Sequence, residues 1–340
     1  MTRLVKGGSQ VGSVLAVGPH GVFAVSLGGA REVALPQLPG SDGRLAGGHV
    51  TALLRVGGQS LYVGSFEHGI TVLGADGQVR GYLPQGNEPG WRHINTLVAL
   101  KSGEVAAGTT HGILVFGAAG ERRIGRKEGL GGEEVTGLAV TREGELLAAT
   151  NRGLTVFSGP PGREVGRTIG AIHGLASNHT YAVAEGGRTL FVGTLSGLSL
   201  LRDLSVVRTL GGRGGPLRHH WVTALVPAAE PGAVWVGTNG GGVARVNEEG
   251  GVEVVGGDDS QFHVNPGAMA LDPVSGMLLV GTIERGALAV DPVRRRFREL
   301  RLPLPSQSVT AILAEKTGVF FGTDRGLLEV SREAVGLAEP

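Results

Sequence analysis

The chain contains no cysteine. Disulfides, zinc–thiolate sites, iron–sulfur clusters and thiol nucleophiles are therefore excluded together. Neither sign of charge prevails: 31 basic residues face 30 acidic ones, a formal net charge of +1. A dedicated polyanion binder should be a net basic domain, so no nucleic-acid partner is expected. No apolar run approaches the ~18 residues of a membrane-spanning helix, so no membrane partner is expected either. Near the start, Arg3 and Lys6 precede a short apolar stretch at residues 14–17. It is too short and too broken by glycine for a signal-peptide core. The expectation is a cytoplasmic protein. There is no G-x-S-x-G motif and no phosphate-cradling G-x-x-x-x-G-K. The sequence Gly211-Gly-Arg-Gly-Gly is glycine-rich but does not follow a dinucleotide pattern.

What is present is 340 residues, 41% of them hydrophobic, with glycine the outlier at 62. That is enough apolar material for a core. One unit recurs along the chain. It reads Val50-Thr-Ala-Leu-Leu, then Leu61-Tyr-Val-Gly-Ser, then Gly69-Ile-Thr-Val-Leu. Later copies carry Val135-Thr-Gly-Leu-Ala, Leu190-Phe-Val-Gly-Thr, Val234-Trp-Val-Gly-Thr, Leu278-Leu-Val-Gly-Thr and Gly326-Leu-Leu-Glu-Val at equivalent places. The positions Gly64, Gly108, Ala149, Gly193, Gly237, Gly281 and Gly322 fall 41 or 44 residues apart. A fourth β-rich run usually follows, as at Ser205-Val-Val-Arg-Thr-Leu and Arg296-Phe-Arg-Glu-Leu.

Four short strands per ~40–45 residues mark the blade of a β-propeller. The expected fold is all-β, one propeller domain over residues 1–340. Its blades are four-stranded and antiparallel, with repeats at about 11–49, 50–93, 94–134, 135–178, 179–221, 222–266, 267–308 and 309–340. That is eight blades, with residues 2–5 completing the last one so that an N-terminal strand closes the ring. The alternative is seven blades, with residues 31–35 as the closing strand. The recurrent glycines are expected to allow close backbone approach near the axis and positive φ before the third strand.

At Val234-Trp-Val-Gly-Thr-Asn-Gly-Gly-Gly-Val the sequence resembles the bacterial two-component regulator propeller repeat, over about residues 50–330. The resemblance implies propeller architecture and a sensory or scaffolding setting. Tyr62, Val105, Leu147, Phe191, Leu279 and Phe320 stand where that repeat carries Trp.

In a propeller, the loops leading into the inner strands share a face with the loops joining strands two and three. That face is the usual ligand platform. The lead-in positions are read as His49, His93, Glu134, His179, His220, Trp221, Asn265 and Ser308. The strand two-to-three loops bring Phe66, His68, His111, Arg152, Arg285 and Arg325, among others. Trp91, Trp221 and Phe262 read as exposed loop aromatics. The residues expected to bind a ligand or partner are His49, His68, Trp91, His93, His111, Arg152, His220, Trp221, Arg285 and Arg325, since Trp and Arg dominate binding hot spots. Each has a plainer reading, in which polar loops are solvated and a loop Trp covers a blade edge. No pair of histidines has a local ligand spacing such as H-x-x-x-H, so no metal or other cofactor is expected.

The function expected is a non-enzymatic binding or scaffold module for a protein, peptide or small ligand. The alternative is a propeller lyase or hydrolase, with Glu134, His93, His179 and His220 as general acid/base candidates at the channel mouth.

Overall fold

The computed structural model describes residues 13–18, 21–26, 29–31, 45–84, 88–159, 166–211, 215–256 and 261–337. Valine- and leucine-rich runs alternate with glycine turns, a pattern that suits pleated strands buried on both faces. Seven antiparallel sheets result. Their inner strands are Val50–Val56, Ile94–Ala99, Val135–Val140, Thr180–Gly186, Val222–Pro227, Val264–Leu271 and Val309–Ala314. Each inner strand packs beside the next, and the seventh packs beside the first. The ring encloses a narrow axial channel, with a cavity of about 170 Å3 lined by inner-strand residues of every blade.

The ring therefore has seven blades, not eight. The strands before residue 50 do not make a blade of their own. Ser13–Gly18 pairs antiparallel with Gly326–Val330 and supplies the outer strand of the last blade; Gly21–Ser26 and Gly29–Arg31 extend the same sheet. An N-terminal strand does close the ring, and among the described residues it is 13–18. Residues 2–5 and 32–35 lie outside the described residues.

Blade-to-blade packing explains the count. The small residue in each second strand is a seat for the first residue of the next blade. A Cβ on Gly64 would lie 2.7 Å from Ile94 Cγ2, and one on Gly237 would lie 2.7 Å from Val264 Cγ1. The glycine thus serves the seam between blades rather than the axis. A Cβ on Gly322 would lie 2.5 Å from Val50 Cγ1, so blade seven seats blade one directly. Burying each such branched side chain contributes on the order of 1.5–3 kcal/mol. At one seam the seat is Ala149, and there the knob is the smaller Thr180, whose hydroxyl donates to the Thr150 carbonyl.

A second device binds the seams. The side chain of the second inner-strand residue donates to the first inner-strand carbonyl of the following blade. Thr51 reaches Ile94, Asn95 reaches Val135, Thr136 reaches Thr180, Thr223 reaches Val264, Asn265 reaches Val309, and Thr310 reaches Val50 to complete the circle. The equivalent residue of blade four is Tyr181, which packs against Trp221 instead, ring centroids 5.3 Å apart and planes tilted by 54°. Beyond the last blade, Arg332 donates to both carboxylate oxygens of buried Asp272 and to the Leu337 carbonyl, stapling the segment after blade seven to blade six. Among the described residues, no helix is long and apolar enough to cross a membrane.

Candidate functional site

Antiparallel four-stranded blades put the lead-in loops and the loops between second and third strands at one end of the ring. Hydrogen bonds tie the two sets together. The lead-in carbonyls of His49, Glu134, His179, Trp221, His263 and Ser308 accept N–H bonds from Phe66, Asn151, Leu195, Asn239, Ile283 and Asp324, at 2.9–3.3 Å.

The hydroxyl that ends each second strand then shapes the loop. Ser65, Thr109, Thr150, Thr194, Thr238, Thr282 and Thr323 donate to the first carbonyl of the third strand at 2.7–3.1 Å. The same oxygens accept the N–H of His68, His111, Arg152, Ser196, Gly241, Arg285 and Arg325, at 2.8–3.1 Å. All are buried and act as fixed anchors. The glycine that opens each third strand has positive φ, as expected from the sequence; Gly153 lies at φ 118. A Cβ there would sit 2.3 Å from the Ile169 carbonyl oxygen. The sevenfold repetition of a buried Ser or Thr hydroxyl and a following glycine thus sets six loop side chains and Gly241 at equivalent places round the channel.

The expected binding residues all lie on this end, but they do not form one cluster. His49 and His93 flank Phe66 across blades one and two, His49 stacked on it with centroids 5.2 Å apart and His93 tilted against it at 5.1 Å. His68 lies against Gly47 and His111 against Gly90. Trp91 is packed beneath its loop in the blade-two core, with the Arg123 guanidinium 5.0 Å above it. It covers a blade edge, and it stands three blades from Trp221. Arg285 is drawn outward by Glu299, at 2.7 Å, over the rings of Phe262 and Phe297. Arg152 and Arg325 are exposed.

Three readings from sequence need correction. Phe262 is not an exposed loop aromatic; it is 2% exposed, under Arg285 and Phe297. Asn265 is not a lead-in residue; its amide is buried, and it donates to Thr282, Ser308 and Val309 within the seam. The lead-in place belongs to His263, two residues earlier. In blade five that place belongs to Trp221, and His220 precedes it.

Two groupings were not foreseen. His219 stacks on His220 with centroids 4.7 Å apart, and its Nδ1 accepts the Trp221 N–H at 3.2 Å. Burial, with His220 and His263 alongside, lowers the His219 pKa below the ordinary histidine value. His263 Nδ1 lies 3.2 Å from Glu284. The second grouping is Tyr181, packed against Trp221 and lining the channel; burial and the nearby Glu134 carboxylate raise its pKa. Alignment of the repeats signals it, because six copies carry Thr or Asn at that place. Between blades three and four, Arg152 and His179 share an open cleft of about 750 Å3 with Asn151, Ser177 and Asn178.

The candidate acid/base groups Glu134, His93, His179 and His220 belong to successive blades. Among the described residues no hydrogen bond joins any of them to another, and no set of three His, Asp or Glu side chains is arranged to hold a metal ion. Three side-chain atoms are buried there without a hydrogen-bond partner: Asn151 Oδ1, Trp221 Nε1 and Asp324 Oδ1. All three belong to this face.

No family model matches the sequence, and no characterised protein matches it by sequence. Solved structures do match by shape. The extracellular domain of a one-component system from B. thetaiotaomicron superposes with TM-score 0.68 and 19% identity, over 86% of this chain and 39% of that one. The extracellular domain of a hybrid two-component system from the same organism gives 0.69 and 16%, over 86% and 40%. A catalytically inactive variant of virginiamycin B lyase from Staphylococcus aureus, with quinupristin, gives 0.67 and 9%, over 86% and 96%. At such identities the likeness shows the propeller fold. The chain spans about two fifths of the length of the two sensor ectodomains. Their architecture agrees with the resemblance of the repeats to the two-component regulator propeller. The cytoplasmic expectation is contradicted by the same neighbours, which are themselves extracellular domains.

Proposed function

We propose that this chain is a binding module whose channel-mouth face recognises a protein, peptide or small ligand, in the manner of a sensor input domain. The observation that carries this reading is the placement of the three unpartnered buried polar atoms, all on one face. A buried polar atom left unpaired costs about 1–3 kcal/mol, and natural structures satisfy nearly all of them. A bound partner would recover that cost. Among the described residues, half of the exposed large hydrophobic side chains lie on the same face: Phe66, Ile172 and Ile283, against Val207, Val274 and Val293 elsewhere. Exposed apolar groups beside fixed polar ones are the composition of a recognition surface.

The test is capture from the envelope fraction and medium of the source cells. The protein and a Val293→Ser control, altered on the opposite face, should retain the same partner. A Phe66→Ser, Arg152→Ser, Ile283→Ser variant should keep its melting temperature and lose capture. Undiminished capture by that variant would refute the face.

A further inference from the structure

Every histidine among the described residues lies on the channel-mouth face, nine in all. Six occupy the lead-in positions and the strand two-to-three loops. His173, His219 and His220 sit in the longer loops that run into those positions. The turns of the opposite face carry lysine and arginine but no histidine among the described residues. Charge on one face alone is thus free to change near neutrality, because histidine ordinarily titrates near ~6.5.

The size of that change is readable from the two inner rings of positions. Those positions carry Glu67, Glu134, Glu284 and Asp324 and the three cations Arg152, Arg285 and Arg325. With the histidines neutral these leave a charge of −1; with six histidines protonated they leave +5.

The surroundings of the imidazoles decide whether that charge shows. Among the described residues only His263 touches a carboxylate, that of Glu284. His49 and His93 face Phe66. His179 shares its cleft with Arg152. His111 Nδ1 lies 3.3 Å from the Thr110 hydroxyl, and His173 Nδ1 accepts the Gly170 N–H. His68 lies against Gly47. His219 meets His220, Trp221 N–H and His263, and titrates at lower pH than an ordinary histidine. Protonation is therefore mostly not cancelled by neighbours.

We propose that this face is a pH-gated docking surface for a protein segment that combines acidic and apolar side chains. The segment must be acidic because the gate adds positive charge. It must also be apolar because Ile172, 91% exposed, and Phe66 and Ile283, each 41% exposed, stand among the histidines. A uniform polyanion would leave those three in water and would meet the four acidic residues of the rings. The proposal rests on the binding-face reading above and adds the partner's chemistry and its control by pH. Near neutrality the surface is close to balanced and holds the segment weakly; in mild acid it becomes cationic.

The probe is a short synthetic peptide of interspersed glutamate and leucine, with a counterpart carrying glutamine for glutamate. Binding is measured by calorimetry at about pH 7.5 and about pH 5.5, where peptide glutamates stay largely ionised. The glutamate peptide should bind roughly tenfold or more tightly at the lower pH, and the glutamine peptide should gain nothing. A His49→Gln, His93→Gln, His179→Gln variant with an unchanged melting temperature should lose most of the gain. Equal affinity at both pH values, an equal gain for the glutamine peptide, an undiminished gain in the variant, or no binding at either pH would each overturn the proposal. Phe66→Ser with Ile172→Ser separates the two levels. If it abolishes a pH-independent binding, the face survives and the gate falls; if binding ignores both the histidine and the apolar changes, the face reading falls as well.

Discussion

Six of the seven seams around the axis are closed by one device, and the seam between blades four and five is not. At six, a Thr or Asn side chain donates to a backbone carbonyl of the next blade. At the remaining one, Tyr181 leaves that role and lies on Trp221 near Glu134 at the channel mouth. The neighbouring seam also departs from the rule, with Ala149 and Thr180 in place of glycine and a branched apolar residue. Where the chain keeps its repeat it builds stability. Where it breaks the repeat at Tyr181, that side chain turns to Trp221, whose Nε1 is one of the unpartnered buried polar atoms.

Mutations should separate the two regions, and the largest effect belongs to the staple between blade six and the tail. Burial alone would raise the Asp272 carboxyl; hydrogen bonds from Arg332 and Ser275 outweigh it and hold the pKa at about 2. Asp272→Asn leaves the buried Arg332 guanidinium without its carboxylate counter-charge, and chemical denaturation should show a loss of about 3–5 kcal/mol. The sign in pH follows. A depressed carboxylate stabilises above its unfolded value and loses that contribution as pH falls toward about 2, so the mutant and the parent should converge in acid.

Next comes the seat itself. Gly237→Ala drives a methyl against Val264 and the sulfur of Met269, 2.7 and 2.8 Å from the new Cβ. A loss of about 1–3 kcal/mol in thermal unfolding is expected from such overpacking. The natural pair Ala149 and Thr180 sharpens this. Adding Val264→Thr to Gly237→Ala should recover part of the loss, and strict additivity of the two changes would count against the seat.

The seam hydrogen bonds come third. Thr223→Val should cost about 1 kcal/mol or more, since it strands a buried carbonyl, whereas Tyr181→Phe should change stability by less than about 0.5 kcal/mol and show its effect in binding.

The smallest effect is at Glu329. Burial raises its carboxyl, opposed by Arg55 and reinforced by Glu315. A raised carboxyl costs stability when ionised, so Glu329→Gln should stabilise slightly near neutrality. The gain should fade as pH falls toward the ordinary glutamate range, about 4.3, where both states are protonated.

The architecture was largely legible because Gly-Thr and Gly recur at fixed spacing, and each has a physical task in every blade. The blade number was misread for a matching reason. Residues 11–49 have strand-like runs but no second-strand glycine, so they offer no seat for Val50; Gly322 provides it instead. The face was legible as a set of loops, while individual residues were less so. Phe262 and Arg285 look exposed in the chain because nothing local shows that Phe297 and Glu299 of the outer strand cover them. Asn265 looked like a lead-in residue because the bulge between Val264 and Met269 shifts the register of its strand. Tyr181 reads in the chain as one more β residue, and its meaning appears only beside the six Thr and Asn it replaces.

Closure of blade seven on blade one decides which loops share the face, and one double-mutant cycle tests it. Arg55 Nε donates to both carboxylate oxygens of Glu315, at 2.8 and 2.7 Å, across 260 residues of sequence. Arg55→Met and Glu315→Gln, singly and together, should give a coupling free energy of about 0.5–3 kcal/mol in denaturant unfolding. An eighth blade would stand between the two residues, and a coupling of zero would contradict the seven-bladed ring and the face built on it.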